Sequence, residues 1–257
     1  MNKRSKRVVV ILSGGMDSTV LLHHHIFTRR DVVRALTFNY GQRHVREVAY
    51  AEKTAVALNI PHSTVDLRCL SSILRGSSQI DPSVAVPEGR YDEESMKATV
   101  VPNRNMIMLS IAVGHAISFD CNYVSYAAHS GDHAIYPDCR PAFTSAMERA
   151  IRRCDWKVVK LFRPFIKLTK VDIVRKGWAL KVNLKATYSC YAGGEVHCGK
   201  CGTCVERRQA FHLAGIDDPT DYGPTAPGIE EMIENDWHLP SLNVLKIRTT
   251  GNVGIGE

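Results

Sequence analysis

Residues 13–18 read Ser-Gly-Gly-Met-Asp-Ser, and each residue type in that run suits the handling of an anion. Two adjacent glycines let the backbone come close to a charged group, because no Cβ stands in the way. Ser13, Ser18 and Thr19 offer hydroxyls, and Asp17 offers a carboxylate that can hold Mg²⁺ or orient the loop. The run follows an apolar stretch, Val8 to Leu12, that reads as a buried strand. It precedes a helical pattern from Thr19 to about Phe27. Strand, turn and helix in that order aim the free N–H groups of the helix start, and the positive end of its dipole, at the turn. This is not a Walker A loop: no Gly-x-x-x-x-Gly-Lys is present, so no loop lysine reaches a terminal phosphate.

A second concentration of chemistry lies at Cys190, Cys198, Cys201 and Cys204, two overlapping Cys-x-x-Cys turns with a fourth sulfur nearby. Gly193, Gly194, Gly199 and Gly202 allow tight folding around an ion. Four thiolates suit tetrahedral Zn²⁺, and a site closed by four sulfurs leaves no place for water, so its role is structural. An iron–sulfur cluster is the rival occupant, and His197 could replace one sulfur. The other four of the eight cysteines, Cys69, Cys121, Cys139 and Cys154, are scattered.

The elements that must position these groups alternate. Strands are predicted at Arg7–Leu12, Val32–Phe38, His62–Leu67 and Tyr123–Ala127, with helices at Ser18–Arg30, Arg43–Leu58 and Met106–Ser118 between them. That order predicts an α/β fold: a parallel, Rossmann-like sheet with helices on both faces, and ligands outside the carboxyl ends of its strands. A helix at Pro141–Arg152, an extended segment Val158–Phe162, a helix Lys170–Leu180 and a closing helix Arg207–Ala214 follow. Residues 76–99, with Gly76, Pro82, Pro87 and Gly89, read as a flexible or functional insertion. The expected division is an α/β domain carrying the anion-binding loop over 7–186, a small zinc-binding module over 187–218, and an irregular tail over 219–257. His23, His24 and His25 are expected on a helix surface. His129 and His133 stand four apart, but Gly131 between them argues for a loop and against a metal pair.

With 257 residues, 44% hydrophobic and 23% charged, the chain can fill one α/β domain and a small appendage. No apolar run approaches the roughly 20 residues of a membrane span. The basic N-terminus is followed by only a short apolar stretch, so a cytoplasmic protein is expected. The net charge of +7 is explained by a substrate with phosphates or carboxylates, and nucleic acid is not the expected partner.

The loop resembles that of the ATP pyrophosphatase superfamily, whose members cleave ATP between the α and β phosphates and adenylate an oxygen of the substrate. Asn39-Tyr40-Gly41-Gln42-Arg43-His44, Val101-Pro102-Asn103-Arg104-Asn105, Tyr136-Pro137-Asp138-Cys139-Arg140 and Ser189-Cys190-Tyr191 sharpen the likeness. Together with the cysteine spacing they resemble the 7-cyano-7-deazaguanine synthase family, QueC, from about Val8 to Asp218. The resemblance implies an ATP-dependent ligase that turns 7-carboxy-7-deazaguanine and ammonia into the nitrile through adenylated carboxylate and amide. It implies a homodimer with one zinc per subunit, and Mg²⁺ with ATP. ATP contacts would come from Leu12, Ser13, Gly14, Gly15, Met16, Asp17, Ser18, Thr19, Val20, Leu21 and Leu22, with Asn39, Tyr40 and Arg43. Asp17, Ser18, Arg104 and Lys170 would serve catalysis; Asn105, Asp132, Tyr136, Asp138 and Arg140 would bind substrate. Residues 129–135 depart from the Glu-Thr-Asp-Phe-Ser-Gly run of many members, which leaves open an enzyme that stops at the amide or adenylates a tRNA base or a protein.

Overall fold

The computed structural model describes residues 6–29 and 31–239. The N-terminal basic residues before Lys6, Arg30, and the tail from residue 240 lie outside them. Five parallel strands form one sheet in the order β3-β2-β1-β4-β5. They are β1 (Arg7–Ile11), β2 (Val32–Asn39), β3 (His62–Asp66), β4 (Tyr123–Ser125) and β5 (Lys160–Phe162). Seven α-helices accompany them among the described residues: α1 (Met16–His23), α2 (Arg46–Ala57), α3 (Arg104–Ser118), α4 (Pro141–Ile151), α5 (Lys170–Ala179), α6 (Gly202–Ala214) and α7 (Ile229–Glu234).

The alternation of side chains along β1 separates two cores. Val8 and Val10 pack with Leu21 and Leu22 of α1, Ile173 and Val174 of α5 and Phe211 of α6. Val9 points the other way and packs with Leu109 and Val113 of α3 and Met147 of α4. Both faces of the sheet are therefore covered, as the continuous apolar run Val8–Leu12 requires of a parallel strand. The strand order reverses between β1 and β4, so the loops after these two strands diverge and leave a crevice at their carboxyl ends.

Three local expectations change. The helix expected to run from Ser18 to Arg30 is α-helical only to His23 and becomes a π-helix over His24–Arg29. The wider turn brings His25 inward rather than onto the surface. It is fully buried, with Nδ1 2.8 Å from Asp31 Oδ2 and Nε2 3.0 Å from Ser125 Oγ. Residues 76–99 are not a flexible excursion. Ser77, Ser78 and Gln79 are buried, and a 3₁₀ turn at Glu94–Thr99 buries Met96 against Gly202. The segment after Asp217, expected to be irregular, contains α7, with Met232 and Trp237 buried. No helix among the described residues is long and apolar enough to cross a membrane.

His24 carries a pH signature of this packing. Burial, followed by the Lys176 charge, pushes it down from 6.5 to about 4. The unfolded chain then binds more protons between these values, so stability is full above about pH 6.5 and is lost as pH falls toward 4. Urea titrations from pH 7 to 4 are expected to show falling unfolding free energy, with a shallower fall in His24→Gln.

Candidate active site

The cavity at the carboxyl end of the sheet has a volume of about 210 Å³ and is walled by the loops after β1, β2 and β4, the start of α3 and the segment before α6. At its floor, the Ser-Gly-Gly-Met-Asp-Ser loop is held by its own hydroxyls. Ser13 N–H donates to Ser18 Oγ (3.1 Å), Gly15 N–H donates to Ser13 Oγ (3.2 Å), and Ser18 Oγ donates to Gly15 O (3.1 Å). α1 then opens at Met16 with no side-chain cap, which leaves its first N–H groups free for a ligand. Gly14 has φ +90°, and a Cβ there would stand 2.1 Å from Glu47 O; only glycine fits against α2.

A buried charge cluster stands beside the loop. The sequence Thr169-Lys170-Val171-Asp172 forms a capping box, with Asp172 N–H donating to Thr169 Oγ1 and Thr169 N–H donating to Asp172 Oδ2. This fixes Lys170 in the first turn of α5, where its Nζ lies 2.7 Å from Asp17 Oδ2 and 3.2 Å from Glu206 Oε2. Burial works against the Asp17 charge, but Lys170 and then His129 outweigh it and hold the carboxyl below its usual range. Burial pushes Glu206 up. A second capping box turns residues 129–133: Gly131 N–H donates to His129 Nδ1, and His129 N–H donates to Asp132 Oδ2. Because Nδ1 accepts, a neutral His129 carries its proton on Nε2, which faces Asp132 Oδ1 at 3.5 Å and Asp17 Oδ2 at 3.9 Å. Asp17 Oδ1 is buried and has no hydrogen-bond partner.

The upper wall is aromatic. Arg104 Nη1 donates to Tyr40 Oη (3.2 Å), and its guanidinium lies about 6 Å from the rings of Tyr40 and Tyr136. Tyr136 Oη bonds with Tyr191 Oη (3.1 Å) and Thr99 Oγ1 (2.6 Å), and Tyr91 Oη donates to Asp132 Oδ1 (3.2 Å). Burial pushes the Tyr40 hydroxyl up to about 12 and raises Tyr91, Tyr136 and Tyr191, so all four remain neutral donors beside one fixed cation. This combination can clamp a carboxylate or phosphate and stack a planar heterocycle.

The structure brings Leu12, Ser13, Gly15, Asp17, Ser18, Tyr40, Arg104, Asn105, Asp132, Tyr136 and Lys170 to this cavity. Other expected contacts stand elsewhere. The side chains of Met16, Val20, Leu21 and Leu22 belong to the core, and Thr19 is buried within α1. Gly14 is spent on close packing, and its carbonyl accepts from Tyr188 N–H. Asn39 Oδ1 accepts from Gly41 N–H and shapes its own turn. Arg43 donates to the carbonyls of Asp81 and Val84, tying down the 76–99 segment and standing off the cavity wall. Asp138 Oδ2 accepts from Asn105 N–H and so caps α3. Arg140 is exposed, bonds the carbonyls of His133 and Ala134, and does not line the cavity. Tyr91, Glu47 and Glu206 were not singled out by sequence reasoning, and Tyr191 was marked only as part of a motif. Tyr191 follows the first cysteine and lines the cavity, while Glu206 lies two residues past the last and pairs with Lys170 behind it; neither spacing signals these positions.

The sulfurs of Cys190, Cys198, Cys201 and Cys204 lie within 4.8 Å of one another, and three of the four residues are buried. Cys198 N–H donates to Cys190 Sγ (3.3 Å) and Cys201 N–H donates to Cys198 Sγ (3.2 Å), bonds that suit thiolates. The donor set and its closeness fit a tetrahedral structural metal.

A parallel sheet with this loop at the end of its first strand, a buried Asp–Lys pair beside it and a four-cysteine module defines a pyrophosphate-loop α/β protein. The family model described as queuosine biosynthesis protein QueC matches residues 7–215, and the chain belongs to that family. It is 52% identical over 218 residues to a 7-cyano-7-deazaguanine synthase of Methanoregula boonei, a match covering 85% of this chain and 100% of that protein. It is 48% identical over 218 residues to the synthase of Pseudoalteromonas translucida, covering 85% and 99%. Among solved structures, an NH3-dependent NAD synthetase from Campylobacter jejuni is 14% identical and covers 91% of this chain and 85% of its own, with a TM-score of 0.45.

Lys170→Met leaves Asp17 and Glu206 without their shared counter-ion. Denaturant titration is expected to show a loss of about 3–5 kcal/mol, as for other broken buried ion pairs. ATP turnover is expected to be abolished.

Proposed function

We propose that this chain is an ATP-dependent carbon–nitrogen ligase that converts 7-carboxy-7-deazaguanine and ammonia into 7-cyano-7-deazaguanine. Its family membership supports this reading. The observation that carries it is one cavity holding both a pyrophosphate loop and an Arg104–tyrosine wall. A carboxylate is a poor electrophile, so its oxygen must first become a leaving group. The carboxylate attacks the α-phosphorus of ATP, and pyrophosphate leaves against the N–H groups of Met16, Asp17 and Ser18 at the start of α1. Ammonia adds to the acyl adenylate and AMP leaves, giving the amide. The amide oxygen is adenylated in turn by a second ATP, and loss of AMP and a proton forms the nitrile.

Each role rests on a position already described. Ser13 and Ser18 shape the loop, and Lys170 stands beside it as a cation. Arg104, with Tyr40, Tyr136 and Tyr191, holds the base and its carboxylate. Asp132 lines the cavity and is placed to take the proton that ammonium loses before it attacks. Mg²⁺ bound with ATP would neutralise phosphate charge, and the unpartnered Asp17 Oδ1 is the oxygen suited to hold it. Cys190, Cys198, Cys201 and Cys204 would hold one zinc, a structural one. The reading includes an ATP-binding body over 7–186, a metal module over 187–218 and a tail over 219–257. It also includes a cytoplasmic homodimer, on family resemblance.

Incubation of purified protein with ATP, Mg²⁺, ammonium and 7-carboxy-7-deazaguanine, followed by mass spectrometry, is expected to give the nitrile and AMP. Amide as the only product would end the pathway one step early; no base-dependent consumption of ATP would sink the proposal.

The metal reading has its own test. Elemental analysis is expected to find one zinc per chain, and chelation to lower the melting temperature by about 10 °C or more, as for domains whose folding is coupled to metal. Iron with visible charge-transfer absorption would identify a cluster instead.

A further inference from the structure

Residues 216–257 lie beyond the part of the chain that the family model matches. The match to the Methanoregula boonei relative, complete for that protein, leaves 15% of this chain unmatched, so residues 216–257 include a surplus over the family model. The described part of this surplus, up to residue 239, is built into the molecule at three points. The first is Arg208 of α6, a buried guanidinium. It donates to Pro227 O (2.8 Å), lies 2.8 Å from Met232 Sδ and 5.0 Å from the Tyr222 ring centre, and reaches Gly199 O (3.3 Å) between two of the cysteines. A buried charge needs its polar partners, and most of those here come from the surplus segment.

The second point is Trp237, a bulky residue at φ +64°. That conformation is unfavourable for a side chain of this size, and it persists where surrounding packing over-determines it. Here the indole is buried with Met232 against Val205, next to Cys204. The third point is Arg90. Its Nη1 donates to Asp236 Oδ2 (2.9 Å) and Asp236 O (3.2 Å), while Nε and Nη2 grip Asp92. Arg90 adjoins Tyr91, whose hydroxyl bonds Asp132 in the cavity wall. The preceding Gly89 N–H donates to Lys200 O in the cysteine module (3.0 Å).

We propose that residues 219–238 form a strap that clamps the cysteine module and, through Asp236 and Arg90, positions Tyr91 over the base, setting affinity for the base and not for ATP. The inference rests on the substrate assignment made above. Among the described residues, none of the strap's hydrogen bonds reaches residues 12–19, so the ATP side has no direct hydrogen bond to it. Arg90 and Trp237 are positioning residues in this account.

The test compares full-length wild type, Trp237→Ala, Trp237→Phe and Arg90→Met. Amide hydrogen exchange at 88–93 is expected to quicken about tenfold or more in Trp237→Ala and Arg90→Met, and to return toward wild type in Trp237→Phe. The KM for 7-carboxy-7-deazaguanine is expected to rise about tenfold in the first two, with the KM for ATP within about twofold. Arg90→Met leaves the strap's own core intact, so it keeps the test valid if Trp237→Ala does not fold. Unchanged exchange at 88–93 overturns the strap, and an equal rise in both KM values overturns its positioning role. A wild-type protein that consumes no ATP with this base would overturn the substrate assignment, and the exchange measurement would still decide the strap.

Discussion

One ammonium group, on Lys170, stands between carboxylates from α1 and α6. Removing that ammonium leaves both carboxylates buried without their shared counter-ion, a cost of several kcal/mol. That constraint ties three chain segments together at one point: the loop after β1, the first turn of α5, and the helix that carries Cys204. α6 is also the wall of the metal module, so the pyrophosphate loop and the cysteines are parts of one mechanical unit. The capping box at Thr169 is what makes the arrangement definite, since it sets where α5 begins and hence where Lys170 can reach.

The sheet supplies the place and the aromatic wall supplies the shape. Reversal of strand order between β1 and β4 opens a crevice whatever the loops contain. Tyrosines from after β2, from the 76–99 segment, from after β4 and from the cysteine module then converge on Arg104. Their burial keeps each hydroxyl neutral, and the guanidinium stays the fixed positive charge of the upper wall. A planar, carboxylated heterocycle fits that balance of aromatic faces, neutral donors and one planar cation.

The cysteine module does more than hold itself together. Glu88 and Gly89 pair with Cys201 and Lys200, Met96 packs on Gly202, and Tyr188 N–H donates to Gly14 O. The least regular stretch of sequence is thereby ordered against the cysteine module. A segment with so many glycines and prolines has few backbone bonds of its own, and its order comes from the surface it meets.

The sequence alone determined the parallel α/β class, the loop that faces an anion and the four cysteines, and through its motifs the family. Those features are local: they rest on periodicity along one strand, on six consecutive residues, or on spacings short enough to close around one ion. It also marked Lys170, Arg104 and Asp132, although only through the family resemblance. Tertiary structure decided which charges meet, because Asp17, Lys170 and Glu206 are far apart in the chain and no periodicity links them. It moved Arg43, Asp138 and Arg140 off the cavity, since nearby backbone groups satisfy them first. It buried His25 through a π-turn that hydrophobic spacing does not encode. It also packed residues 222–237, read from their composition as irregular, against α6, where Trp237 and Met232 meet Val205 and Arg208 donates to Pro227 O.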